Sequence, residues 1–343
     1  MPRLPLLDDL DKTIAAGGAH FDARIACEVT CRGEALPVHV VTVGNSDPQA
    51  PVVGFFGGVH GLERIGAEVV LAYLQNLAGR LRWDDTVHAL LDAVRMVFMP
   101  MVNPAGIWLG TRANPNGVDL MRNAPVESAE RVPWLIGGQR LSPKLPWYRG
   151  ILDAPMERES QAVCDVVTQE LLSRRFSLAV DCHSGFGMAD RIWFPYAHTR
   201  APLRHLPEMH ALKDLLQENL CNYRYIFEPQ SCQYLTHGDL WDHLYRQSLT
   251  RTGGLFLPVT LEMGSWSWVK KNPRQFFSLL GNFNPLVEHR QQRVLRRHVP
   301  LLEFFARAAC SYRRWVPTAQ DRVRHQRRAL AHWYPEQAQE AEA

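Results

Sequence analysis

His60 and Glu63 place an imidazole and a carboxylate three residues apart, directly after the apolar run Val52-Val53-Gly54-Phe55-Phe56-Gly57-Gly58-Val59. That run reads as a buried strand ending in a glycine turn, and apolar residues recur at helical spacing from Ile65 to Leu77. The pair therefore sits where a strand hands over to a helix, the place where α/β sheets put their sites. Alone, an H-x-x-E pair is common by chance. Two remote segments give it weight. Asp181-Cys182-His183-Ser184-Gly185 carries a second histidine at a strand end, and Thr260-Leu261-Glu262-Met263-Gly264 carries a glutamate at another.

These residue types in this order point to metal-assisted hydrolysis. A catalytic zinc keeps three protein ligands and leaves a fourth position open. His60, Glu63 and His183 supply such a set for one Zn2+ ion. Glu262 closes an apolar run and would be costly to bury without a task. A carboxylate there takes a proton from zinc-bound water, whose pKa falls toward about 7, and later hands it to a leaving amine. Between these segments lie Asn103-Pro104-Ala105-Gly106, Arg112 and Gly117-Val118-Asp119-Leu120-Met121-Arg122-Asn123. Of two arginines near a zinc, one polarises a scissile carbonyl and the other grips a carboxylate through its planar fork of donors. Asp119 suits an acceptor that orients a ligand histidine.

The ordered set H-x-x-E, N-P-x-G, R, G-V-D-x-x-R-N, D-x-H-S-G and T-x-E resembles the zinc metallocarboxypeptidase family (carboxypeptidase A-like) over about residues 50 to 265. It is also similar to that family's deacylase relatives, the succinylglutamate desuccinylase and aspartoacylase group. The resemblance implies that His60, Glu63 and His183 hold the zinc and that Glu262 is general base and acid. It implies Arg112 as the carbonyl-polarising arginine, Arg122 as the group binding a terminal carboxylate, and Asp119 as the support of the first histidine. Tyr234, in Tyr234-Leu235-Thr236-His237-Gly238, falls where the family has a substrate-binding tyrosine. One position departs from the pattern. The family's usual Asn-Arg pair is Met121-Arg122 here, and methionine donates no hydrogen bond to a carboxylate. Either Arg122 alone then binds the anion, or Asn114, Asn116 or Asn123 stands in for the missing donor. The implied substrate is a peptide, with an N-acyl amino acid as the alternative.

The elements that must hold these groups alternate. β-type runs occur at 25–31, 37–43, 52–56, 94–100, 178–182, 191–194, 223–227 and 258–263, with helical patterns at 63–79, 84–92, 156–175, 205–220, 237–249 and 282–310. Such alternation predicts a three-layer α/β/α domain around a mixed, largely parallel twisted sheet. We read residues 1–21 as a polar lead-in, 22–312 as one catalytic domain and 313–343 as a charged tail. The stretch 124–152, rich in Pro, Gly and Trp and without a period, predicts an ordered pocket-lining loop.

Composition limits the alternatives. A formal charge of +3 is too small to indicate nucleic acid as a partner, and no run approaches the roughly 18 apolar residues of a membrane span. The start of the chain lacks an apolar export core, and seven scattered cysteines form no C-x-x-C pair, so a cytoplasmic, reduced protein is the expectation. Ser184 lacks the G-x-S-x-G setting of a hydrolase nucleophile. A metal-free binding module is disfavoured by the complete ligand set. His198, His205, His210, His237 and His243 read as surface or packing residues, and the oligomeric state is not legible.

Overall fold

A computed structural model describes residues 4–251 and 253–342 of the chain, leaving Met1–Arg3 of the lead-in and Ala343 of the tail outside. Its strands are β1 (Asp22–Cys31), β2 (Glu34–Gly44), β3 (Val52–Gly57), β4 (Arg95–Met99), β5 (Phe176–Ser184), β6 (Arg191–Phe194), β7 (Ile226–Pro229) and β8 (Leu255–Met263). They form one sheet in the order β1-β2-β4-β3-β5-β8-β6-β7. The β3–β4, β3–β5, β5–β8 and β6–β7 pairs are parallel, and β1–β2, β2–β4 and β6–β8 are antiparallel. Parallel strands need crossovers, and the helices supply them. These are α1 (Pro5–Gly17), α2 (Arg64–Arg80), α3 (Asp85–Ala93), α4 (Pro104–Leu109), α5 (Arg158–Val166), α6 (Leu206–Asn219), α7 (Leu240–Leu249), α8 (Trp266–Lys271), α9 (Glu288–Cys310), α10 (Tyr312–Trp315), α11 (Ala319–Trp333) and α12 (Pro335–Glu342).

Consecutive side chains of a strand point to opposite faces, and β3 shows what each face meets. Phe55 packs edge-on against Tyr73 of α2, and Phe56 against Trp241 of α7. Both layers of the expected α/β/α sandwich are therefore present. β3 and β5 are buried along their whole length, as continuous apolar runs demand.

Several boundaries differ from the sequence expectation for identifiable reasons. The helix expected over 156–175 is α5 followed by a wider turn at Val167–Leu171. The helix expected over 237–249 starts at Leu240, because Gly238 takes φ +72° and the Asp239 side chain caps the helix by accepting from Asp242 N. The helix expected from 282 begins at Glu288, and the strand expected over 223–227 runs from Ile226 to Pro229. The ends of the chain join the core. Leu6, Leu7 and Leu10 of α1 are buried, as are Ala329 and Trp333 of α11. Trp333 donates Nε1–H to the carbonyl of Phe227 at 2.9 Å and packs on Phe194, so the segment beyond 312 is folded onto the domain.

Candidate metal centre and active site

β3 delivers the chain to the turn His60-Gly61-Leu62-Glu63, which closes with Glu63 N–H donating to the His60 carbonyl at 3.0 Å. The turn must hold a glycine, since a Cβ at Gly61 would lie 1.9 Å from the backbone carbon of Gly106. Asn103 fixes that neighbour. Its Oδ1 accepts from Gly106 N at 2.8 Å and its Nδ2 donates to the Val59 carbonyl. The N-P-x-G segment thus braces the turn that presents His60 and Glu63.

β5 and β8 bring in the remaining groups. Their parallel register sets His183 opposite Glu262. His183 Nδ1 lies 3.2 Å from His60 Nδ1 and 3.0 Å from Glu63 Oε2, and His60 Nδ1 lies 2.9 Å from Glu63 Oε1. All three side chains are buried. Each imidazole is anchored through its far nitrogen: His60 Nε2 to Asp119 Oδ1 at 3.0 Å, and His183 Nε2 to Asp181 Oδ2 at 2.7 Å. A carboxylate at Nε2 holds the proton there and leaves the Nδ1 lone pairs unprotonated and convergent. Two imidazoles, one carboxylate and two carboxylate supports fit one zinc ion.

The two arginines separate in space. Arg112 donates from Nε to Asp119 Oδ2 at 2.8 Å and from Nη1 to Glu63 Oε1 at 3.1 Å, which ties the ligand glutamate to the histidine support. Burial disfavours its charge, but Asp119 and then Glu63 outweigh that and raise its pKa. Arg122 is buried, its Nη1 lies 3.9 Å from Asp239 Oδ2, and its Nε has no hydrogen-bond partner among the described residues. Glu262 accepts one backbone hydrogen bond, from Phe186 N to Oε1 at 3.1 Å. Burial, and then the Glu63 charge, push its carboxyl up to about 8, so in the metal-free protein it holds a proton well above the usual carboxylate range.

A cavity of about 330 Å³ opens over these groups. His60, Glu63, His183, Glu262, Arg112, Arg122 and Tyr234 all line it. Asp119 stands behind His60, fully buried. Asn123 is not in the wall. Its Oδ1 accepts from Glu157 N at 2.6 Å and its Nδ2 donates to the Arg149 carbonyl at 2.9 Å, so both ends of its amide serve the loop. Asn114 and Asn116 are turned to Glu157. Met121 occupies the wall beside Arg122.

Some contributors were not singled out in the sequence. Asp181 supports His183, and Trp241 donates Nε1–H to Asp181 Oδ2 at 2.8 Å, pinning that support from α7. The signal for Asp181 was present, because residues two apart on a strand share a face. Gln230, Ile136, Trp147 and Phe283 also line the cavity. Ile136 and Trp147 come from the 124–152 stretch, which thereby forms part of the wall. Tyr234 is grouped with Phe186 and Trp193, with ring centres 6.0 and 6.1 Å away.

The fold is a three-layer α/β/α sandwich with a donor set that fits zinc, and comparison with known proteins gives the family. The zinc carboxypeptidase family matches residues 32–267, and the chain belongs to it. Carboxypeptidase E of Caenorhabditis elegans is 30% identical over 158 residues, covering 42% of this chain and 32% of that protein. Carboxypeptidase D of Anas platyrhynchos is 25% identical over 179 residues, covering 49% of this chain but 11% of its own length. The chain therefore spans about a third or less of these relatives. In fold it is similar to thrombin-activatable fibrinolysis inhibitor, with a TM-score of 0.60 at 17% identity over 84% of this chain and 72% of that one. Carboxypeptidase A from Helicoverpa armigera gives a TM-score of 0.57 at 15% identity, over 85% of this chain and 71% of that one. The family's cofactor is one zinc ion, and the His60–Glu63–His183 group fits it.

Proposed function

We propose that the chain is a metallocarboxypeptidase that removes the C-terminal residue of a peptide. The observation that carries the reading is Arg122, a buried guanidinium in the cavity wall whose Nε is unpartnered among the described residues while the metal triad lines the same cavity. The guanidinium's place in the cavity wall lets its outer nitrogens meet an anion brought in by the ligand through charge-assisted hydrogen bonds. Of the natural ends of a peptide, the terminal carboxylate supplies one.

His60, Glu63 and His183 hold the zinc, which when bound activates water and polarises the scissile carbonyl. Arg122 grips the terminal carboxylate and so sets which bond lies over Glu262. Glu262 in its ionised form takes the proton of the attacking water and delivers it to the leaving amine. Arg112, held in place by Asp119 and Glu63, presents its guanidinium at the cavity wall to the oxygen that gains charge as the carbonyl is attacked. Phe186, Trp193 and Tyr234 supply an aromatic wall for the departing side chain.

A paired panel tests the reading: peptides with a free or an amidated C-terminus, alongside N-acyl amino acids, each incubated with the zinc-loaded protein. Release of single C-terminal residues from free-carboxylate peptides alone is the expected result. Equal cleavage of the amidated partners, or selective release of the acyl group from N-acyl amino acids, would contradict it. The latter outcome would point to deacylase chemistry and give Met121, apolar where the family pattern has asparagine, its reason.

A further inference from the structure

A second group of metal-type donors lies between α6 and α11, and none of its members lines the active-site cavity. His210 and Asp214 are four residues apart on α6, which stacks them on one helix face. His325 reaches them from α11. His210 Nδ1 lies 3.0 Å from His325 Nδ1 and 3.3 Å from Asp214 Oδ2. All three donor atoms fall within 4.8 Å of one another. The zinc triad shows the same pattern, two Nδ1 atoms 3.2 Å apart with a carboxylate oxygen 2.9 Å from one of them.

Hydrogen bonding accounts for the cluster less completely than a cation does. One Nδ1 proton shared between the rings satisfies the imidazole pair but leaves the carboxylate contact as a weak, divided bond. A divalent ion uses all three lone pairs at once. The surroundings prepare the carboxylate. Asp214 Oδ1 accepts from Lys213 Nζ at 2.8 Å, which leaves Oδ2 turned toward the histidines, with Arg328 Nη1 no closer than 3.8 Å. A cationic neighbour on the carboxylate is also found in the active site, where Arg112 Nη1 lies 3.1 Å from Glu63 Oε1. His210 is walled by the Trp333 ring, 5.8 Å from its own, while Asp214 is 27% exposed and gives an ion its entry.

We propose that His210, Asp214 and His325 form a second site for a divalent transition ion of the zinc, cobalt and nickel class, which clamps α11 to α6. Two imidazoles and one carboxylate are the donors that class accepts. The ion would be structural, since α11 carries Trp333 into the core beside Phe194 and Phe227.

Equilibrium dialysis of the full chain against Zn2+ tests this. The expected stoichiometry is two ions per chain in the wild type, one in His325→Ala with peptide hydrolysis unchanged, and one in the His60→Ala/His183→Ala double variant. Zinc should also raise the Tm of that double variant by a few degrees, and should lose this effect when His325→Ala is added. His325→Gln, closer in size, repeats the measurement should the alanine variant fold poorly. A wild type that holds a single ion, or a His325 variant that still holds two, overturns the proposal.

Discussion

Glu262 stands directly opposite His183 in the parallel β5–β8 register, so backbone pairing sets the spacing of the proposed general base and the proposed metal ligand. The only hydrogen bond to the Glu262 side chain among the described residues comes from the Phe186 amide. A carboxylate placed by a ladder, and otherwise left free, is available for proton transfer.

Asp181 should matter as much to metal affinity as a direct ligand's geometry does. It is the sole carboxylate support of His183 among the described residues and is itself held by Trp241. We expect Asp181→Asn to weaken zinc binding roughly 10- to 100-fold, read by competition with a chelator. Unchanged affinity would show that the Asp181 contact does not hold the ring.

Arg122→Gln should separate substrate binding from chemistry. Losing a charged hydrogen bond to the ligand costs about 1.5–3 kcal/mol, or roughly 10- to 100-fold in kcat/KM. The loss should fall on peptides with a free C-terminus and leave zinc content untouched. A variant that cleaves free-carboxylate peptides as well as the wild type does would remove Arg122 from the recognition site.

Gly66→Ala tests the packing under the site. In an exposed helix this change stabilises by about 1 kcal/mol. Here the new Cβ would lie 2.1 Å from the Cys182 carbonyl oxygen, wedging α2 away from β5. We expect a loss of about 2 kcal/mol or more in urea unfolding, and reduced zinc retention, because the strand that carries His183 would shift. Wild-type stability with full zinc retention would show that the interface gives way without cost.

Asp239 gives a pH signature. Burial first, then the charge of Asp242, raise its pKa from the ordinary 3.8 to about 7. Between those two values the folded chain keeps a proton that the unfolded chain releases, so this group's contribution to stability falls as pH rises through the window. An asparagine in its place would keep the helix cap without titrating. Over pH 4–7 the Tm of Asp239→Asn should therefore rise relative to that of the wild type. Parallel pH profiles would show that Asp239 titrates normally.

The metal half of the site was legible because its chemistry is written in short motifs at strand ends. His60, Glu63, His183 and Glu262 carry ionisable groups beside apolar strands, which a task or a partner explains, whereas Arg112 was placed only by the family resemblance. Asn123 shows where that reasoning stops. Its residue type permits substrate binding, but the 124–152 loop uses its amide to hold the Arg149 and Glu157 backbone, a demand that arises only once the loop is folded. Ile136 was unreadable as an individual wall residue for the same reason, since an aperiodic loop carries no face. The core status of α11 was hidden by composition. Its charges dominate the pattern, while Ala329 and Trp333 alone are buried.

The central claim is that Glu262 moves the proton in a site whose zinc is held by His60, Glu63 and His183. Glu262→Gln preserves shape and removes the base, so zinc content and kcat for a free-carboxylate peptide should be measured together on the same sample. We predict one active-site zinc retained and a fall in kcat of at least ~100-fold, the lower range for loss of a general base. Zinc retained with kcat within a few-fold of the wild type would contradict the account.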